Sequence, residues 1–277
     1  MLVLVCALVL ASPGLAITGG AYDGNGHPYV GVLRVGGLLC SGTLLSPTVL
    51  LTSAHCAAGI APAFGTNSLT GAPIARVSFD PNLASTPPDQ RVYYFGSFYG
   101  DPAYNPNLPN SKDPDSHDVG IVVFSTAGCG SCAGPVPASA TQGTYGSLPS
   151  AGLVDTLPMN TQVEIAGFGV QDFLTGGGQK PQPDPASAGI RMSAPSELIA
   201  SSGQTSSRFL RLHQNQGGVC FGDSGGPDLL GGTTTVLAVN SYVSNDVCSG
   251  LAYSYRVDTP SALGWIRSTA AARGGSL

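Results

Sequence analysis

Charge is scarce in this chain. Lys and Arg together number 11 and Asp and Glu 16, for a net charge of −5 and a charged fraction of 10% over 277 residues. No basic stripe exists to meet phosphates, which argues against nucleic acid and anionic membrane as partners. Apolar runs are short as well: the longest, Leu2 to Leu10, is about half of the ~20 residues a membrane span requires, so no membrane anchor is expected. No N-x-S/T sequon occurs, so N-glycosylation is not expected. Histidine is rare, with 4 in all and none beyond His213. Glycine (39) and proline (22) are plentiful, a turn-rich composition that disfavours long helices.

The opening residues, 1–16, carry an apolar core followed by Ser, Pro, Gly and a closing Ala, with small residues at Gly14 and Ala16. This reads as a signal peptide and predicts a secreted, extracellular protein, although no Lys or Arg precedes the apolar core. After it come short apolar or β-branched runs separated by turn residues: 29–35, 38–45, 49–52, 74–79, 92–98, 119–124, 162–167, 189–193, 209–212, 234–242 and 252–257. That spacing predicts an all-β sandwich or barrel. One helix is predicted, over 260–272, docking Leu263, Trp265 and Ile266 on the second half of the fold. The stretch 175–185 reads as an exposed loop.

The chain is organised around Gly222-Asp223-Ser224-Gly225-Gly226-Pro227. Flanking glycines allow close backbone approach to a substrate and angles other residues resist. The run also satisfies G-x-S-x-G, the nucleophile elbow of α/β-hydrolases. Those enzymes order their triad Ser, acid, His, and no histidine follows Ser224, so the base must lie upstream. Two upstream stretches qualify: Leu51-Thr52-Ser53-Ala54-His55-Cys56, and Asp115-Ser116-His117-Asp118 leading into an apolar run. Both His55 and His117, the latter beside Asp118, are candidates for the base.

With His, Asp and Ser in this order, the chain resembles the trypsin/chymotrypsin-like serine proteases over nearly its whole length after residue 16. The resemblance implies two six-stranded antiparallel β-barrels with a C-terminal helix: residues 17–130 and 131–277, with a crossing loop at about 127–150. It implies a secreted serine endopeptidase with His55, Asp118 and Ser224 as triad, the amides of Gly222 and Ser224 as oxyanion hole, and Ser241 bonded to the acid. Ile17-Thr18-Gly19-Gly20 is similar to the mature start of family members, implying that a freed Ile17 amine pairs with Asp223. Gly218 stands at the floor of the specificity pocket, with Val243 and Ala252 on its walls. A pocket without an acid and narrowed by valine implies cleavage after small or medium apolar residues.

Of the 7 cysteines, Cys6 falls in the signal segment, and sequence alone leaves many pairings open for the rest. The resemblance implies Cys40–Cys56 and Cys220–Cys248. Cys129-Gly130-Ser131-Cys132 would suggest a redox motif or half a zinc site in a cytosolic chain. It lacks a second metal-binding pair, and export favours a local disulfide. Asp113, Asp115, Asp118 and His117 fit no calcium loop, because Phe124 stands where a bidentate Glu is needed, and they read as a solvated acidic turn. No cofactor and no metal are expected. Protein or peptide substrates and protein inhibitors are the implied partners, and a monomer is the family default. A catalytically silent homologue acting as a binding module is the alternative, and an esterase using the same triad a third reading. No partner is predicted for His27 or His213.

Overall fold

The computed structural model describes residues 17–107, 115–175, 180–199, 207–214 and 218–277. The signal segment, Asp113 and part of the 175–185 loop lie outside them. Six strands close a first antiparallel barrel in the order β2-β3-β4-β7-β6-β5. They are β2 (Val30–Arg34), β3 (Leu39–Ser46), β4 (Val49–Thr52), β5 (Ile74–Ser78), β6 (Tyr94–Gly100) and β7 (Gly120–Val123). Strands β4 and β7 pair Leu50 with Val122 and Leu51 with Ile121, and every residue of both is buried. That explains their unbroken apolar sequence, since one face fills the barrel and the other meets the rest of the molecule. Burying each such Leu or Ile contributes roughly 1.5–3 kcal/mol.

The second sheet has seven strands in the order β1-β11-β8-β13-β14-β15-β12. They are β1 (Ala21–Tyr22), β8 (Gln162–Gly167), β11 (Met192–Glu197), β12 (Phe209–His213), β13 (Pro227–Leu230), β14 (Val236–Val243) and β15 (Leu251–Arg256). The six-stranded closed form expected here is therefore corrected to a half-barrel. Just past β11, Leu198 bridges to Leu212 of the edge strand β12, and Ile199 N donates to Arg211 O at 3.2 Å; β1 adds outside β11. A small ribbon, β9 (Phe173–Leu174) with β10 (Gln182–Pro183), replaces the plain loop expected there.

Helix α1 (Pro260–Ala272) starts as its sequence dictates: Thr259 Oγ1 accepts from Ala262 N and Pro260 occupies the first turn. Ala262, Ile266 and Ala270 enter a core shared by both sheets, including Val122 and Val123, so the helix docks on more than the second sheet. Among the described residues no helix is long and apolar enough to cross a membrane. Three disulfides form, Cys40–Cys56, Cys129–Cys132 and Cys220–Cys248.

His27 proves to be partnered. Its Nδ1 lies 2.6 Å from Asp23 Oδ1, and Asp23 Oδ2 accepts from Arg191 Nε at 2.9 Å. The fully buried Arg191 also donates to the carbonyls of Val30 and Phe79, at 3.0 and 3.1 Å, clamping the amino-terminal segment between the two halves. Burial alone would raise the Asp23 carboxyl; the hydrogen bonds and charge of His27, with the charge of Arg191, outweigh it and bring the pKa down to about 2. Sequence reasoning missed the Asp23–His27 pair although it is only four residues apart, and the third member, Arg191, is 168 residues from Asp23. His213 is exposed at the end of β12, and its carbonyl accepts from Ser196 Oγ at 3.2 Å.

Candidate active site

His55 sits on the single 3₁₀ turn Ala54–Cys56 that follows β4. The Cys40–Cys56 bond ties that turn to β3, and Ser53 Oγ ties it to the second sheet by donating to Asn240 O at 2.8 Å. Asp118 stands just before β7 and is 2% exposed. Its Oδ1 accepts from His55 N at 3.0 Å, and its Oδ2 lies 2.8 Å from His55 Nδ1. A carboxylate only accepts, so the imidazole proton sits on Nδ1 and Nε2 is left as the basic nitrogen.

Ser241 Oγ completes the set, donating to Asp118 Oδ2 at 2.5 Å. The register of β14 on β15 slips between Asn240 and Tyr242, a bulge that turns Ser241 out of the sheet's alternation. Burial would lower the pKa of His55, but the Asp118 charge and hydrogen bond raise it. Burial would raise that of Asp118, but the charge and hydrogen bond of His55, with the Ser241 bond, lower it.

The serine loop is fixed from both halves. Ser41 N donates to Ser224 O at 2.8 Å, and Ser41 Oγ donates to Gly222 O at 2.9 Å. Gly225 N donates to Asn240 O at 2.8 Å, and Asn240 N donates to Gly226 O at 2.9 Å. Gly222 and Gly225 have φ of +102° and +78°, which side chains rarely adopt. A methyl on Gly225 would also stand 2.6 Å from Ser41 O and 2.8 Å from Ser53 N. Neither Gly222 N nor Ser224 N has an acceptor among the described residues. Backbone amides left without an acceptor next to a half-buried hydroxyl are the kind of donor an oxyanion requires. The Ser224 hydroxyl makes no hydrogen bond to His55 among the described residues, a contact that often tightens only with substrate bound.

Ile17 and Asp223 are not joined as an ion pair. In the full-length chain Ile17 N is an amide rather than an ammonium, though its side chain is already fully buried with Val219 and Leu212. Asp223 instead accepts from Gly169 N at 2.8 Å and Cys220 N at 2.9 Å. Burial pushes its carboxyl up to about 7, against these two bonds. Val243 and Ala252 face each other across β14 and β15. Gly218 bridges Thr18, and the Cys220–Cys248 bond packs on Val243.

The acidic turn is more than solvated: Asp115 accepts from Tyr255 Oη at 2.6 Å and pairs with Arg208 at 3.3 Å. Among the described residues one group has metal-like spacing, Cys40, His55 and Cys56, and both of its sulfurs are spent in a disulfide.

Sequence reasoning missed a polar layer behind the serine loop. Asp228 on β13 is fully buried, and neither carboxyl oxygen has a hydrogen-bond partner of ordinary geometry. Burial pushes it up to about 7, only partly opposed by the Ser254 hydroxyl, whose bond goes to Asn240 Oδ1 at 3.2 Å. Asn240 Nδ2 in turn donates to Asp223 O at 3.2 Å. The one available signal was an acid inside the apolar run Pro227-Asp228-Leu229-Leu230.

Comparison with known proteins agrees with this architecture. A family model described as Trypsin matches residues 16–266. A solved structure titled HL collagenase, at 1.7 Å resolution, aligns with a TM-score of 0.58 and 17% identity, covering 91% of this chain and 96% of its own. No curated protein matches the chain in sequence.

Proposed function

The chain belongs to the trypsin family and is a serine endopeptidase, and from that premise we propose that His55, Asp118 and Ser224 are its catalytic triad. The observation that carries this reading is the buried Asp118 holding both the backbone and the ring of His55, at 3.0 and 2.8 Å. In the mechanism, His55 Nε2 takes the hydroxyl proton as Ser224 Oγ bonds to the scissile carbonyl carbon. The carbonyl oxygen, now anionic, receives the free amides of Gly222 and Ser224, and removing one such donor typically costs about 10²–10³ in rate. The imidazolium then gives its proton to the amine nitrogen as the C–N bond breaks, leaving an acyl-enzyme. Water attacks the acyl carbon, passing a proton to His55, which returns it to Ser224 Oγ as the C–Oγ bond breaks and the carboxylic acid product leaves. The buried Asp118 carboxylate stabilises the imidazolium in both steps.

Secretion, with cleavage after residue 16, would free the Ile17 ammonium to pair with Asp223. A buried ammonium and carboxylate each relieve the other's desolvation, so pairing would bring the Asp223 pKa back down and fix the serine loop. The side chain accepted before the scissile bond is small or medium and apolar, because Val243 and Ala252 narrow the pocket and Gly218 offers no charge. With peptides that differ only at that residue, kcat/KM for Ala, Val or Leu is expected to exceed that for Arg or Lys by at least tenfold, roughly 1.4 kcal/mol. A tenfold preference for Arg or Lys would refute the assignment of the pocket.

A further inference from the structure

Positive charge is rare on this chain, yet three arginines, Arg34, Arg76 and Arg91, line a single cavity of about 460 Å³. Among the described residues that line it there is no carboxylate. The ion pairs that arginines make among the described residues belong to Arg191, Arg208 and Arg256. Arg34 donates to Gly37 O at 2.9 Å and Arg91 to Thr86 O at 2.8 Å, so both are bonded to backbone carbonyls. Arg76 lies between the rings of Phe64 and Tyr93, at 4.8 and 4.3 Å from their centroids. Such stacking fixes a guanidinium while leaving its edge donors free. Burial and the neighbouring Arg76 charge hold the Arg34 guanidinium below its usual range, as expected where cations crowd without a counter-charge.

The cavity adjoins the proposed oxyanion site. Leu39 lines it, and Leu39 Cδ2 would stand 2.8 Å from a methyl placed on Gly222. Gly189, also in its lining, donates to Phe168 O at 3.0 Å, directly before the Gly169 that packs on Gly222. Leu39 and the Cys40–Cys56 bond belong to the first barrel, whereas Val243, the wall of the pocket for the acyl side, belongs to the second sheet. A peptide entering past Val243 and crossing Ser224 therefore leaves over Leu39, towards the three arginines. We propose that this cavity binds an acidic side chain on the leaving-group side of the scissile bond, so that preferred substrates carry Asp or Glu within the first few residues after the cut. The proposal rests on the reading of Ser224 as the nucleophile.

The test uses internally quenched peptides that share one acyl side and carry Ala, Glu or Lys at the second and third residues after the bond. The Glu peptide is expected to exceed the Ala peptide in kcat/KM by about tenfold, and the Lys peptide to fall about tenfold below it. The Glu-to-Ala ratio should drop towards one in Arg76→Gln and in Arg34→Gln. It should also shrink in 1 M salt, where charges are screened beyond about 3 Å. Equal rates for the three peptides overturn the inference and leave the nucleophile reading intact. If no peptide is cleaved, the nucleophile reading fails. The cavity is then judged by anisotropy, titrating a labelled Glu-containing leaving-group peptide into Ser224→Ala protein. Binding about tenfold tighter than the Ala peptide, lost in the added Arg76→Gln, supports the site; equal binding overturns it.

Discussion

Replacing Asp118 by Asn is expected to lower kcat/KM by about 10⁴, the size this change has in well-studied members of the family. The geometry here gives the same reason. Asp118 Oδ2 now takes the Nδ1 proton of His55 and the Ser241 hydroxyl together. An amide nitrogen in that place donates instead of accepting, so the imidazole must carry its proton on Nε2, where it cannot accept one from Ser224. The pH profile provides a second readout. The native His55 pKa is raised because the Asp118 charge and hydrogen bond overcome burial. Since the neutral imidazole is the base, native activity rises as pH climbs through that raised value. In Asp118→Asn only the downward effect of burial remains, so the acid limb of residual activity moves to lower pH. A loss below about tenfold with an unmoved acid limb would remove Asp118 from the triad.

The second large effect concerns stability. Asp228 is fully buried, and burial holds its carboxyl at about 7, against an ordinary value near 3.9. A raised folded pKa means that the folded state keeps a proton the unfolded state gives up. The stability this group contributes is therefore fullest below about pH 4, falls as pH rises towards 7 and levels off above it. A difference of about 3 units corresponds to at most ~4 kcal/mol, so Asp228→Asn should gain on the native residue by about 2–4 kcal/mol between pH 4 and pH 8. Denaturant unfolding at both pH values, in a Ser224→Ala background to prevent autolysis, measures it. Asp223 is common to both proteins and cancels. A difference that does not change with pH would mean that Asp228 ionises alike folded and unfolded.

Much of the fold was legible because local chemistry and tertiary need agreed. The runs at 49–52 and 162–167 match β4 and β8 end to end, and the helix expected at 260–272 matches α1. Strand β13 was missed because it begins on Pro227 and carries Asp228, two residues that strands disfavour. The strand expected at 189–193 begins instead at Met192, since Gly189 takes φ +97° and Arg191 is drawn into its clamp with Asp23. The residues around His55, Asp118, Ser224 and Ser241 could be read because their neighbours form contiguous motifs. Asp228 with Asn240 and Ser254, and the trio Arg34, Arg76 and Arg91, could not. Their meaning lies in contacts between distant strands, and no local spacing encodes those.

The central claim is that Ser224 is a nucleophile activated by His55, and covalent labelling tests it most directly. The protein beginning at Ile17, and its Ser224→Ala and His55→Ala variants, would be treated with a fluorophosphonate and the modified peptide identified by mass spectrometry. One adduct is expected, on Ser224, absent from Ser224→Ala and slowed by several orders of magnitude in His55→Ala. A folded protein beginning at Ile17 that takes no label, or takes it on another residue, would contradict it.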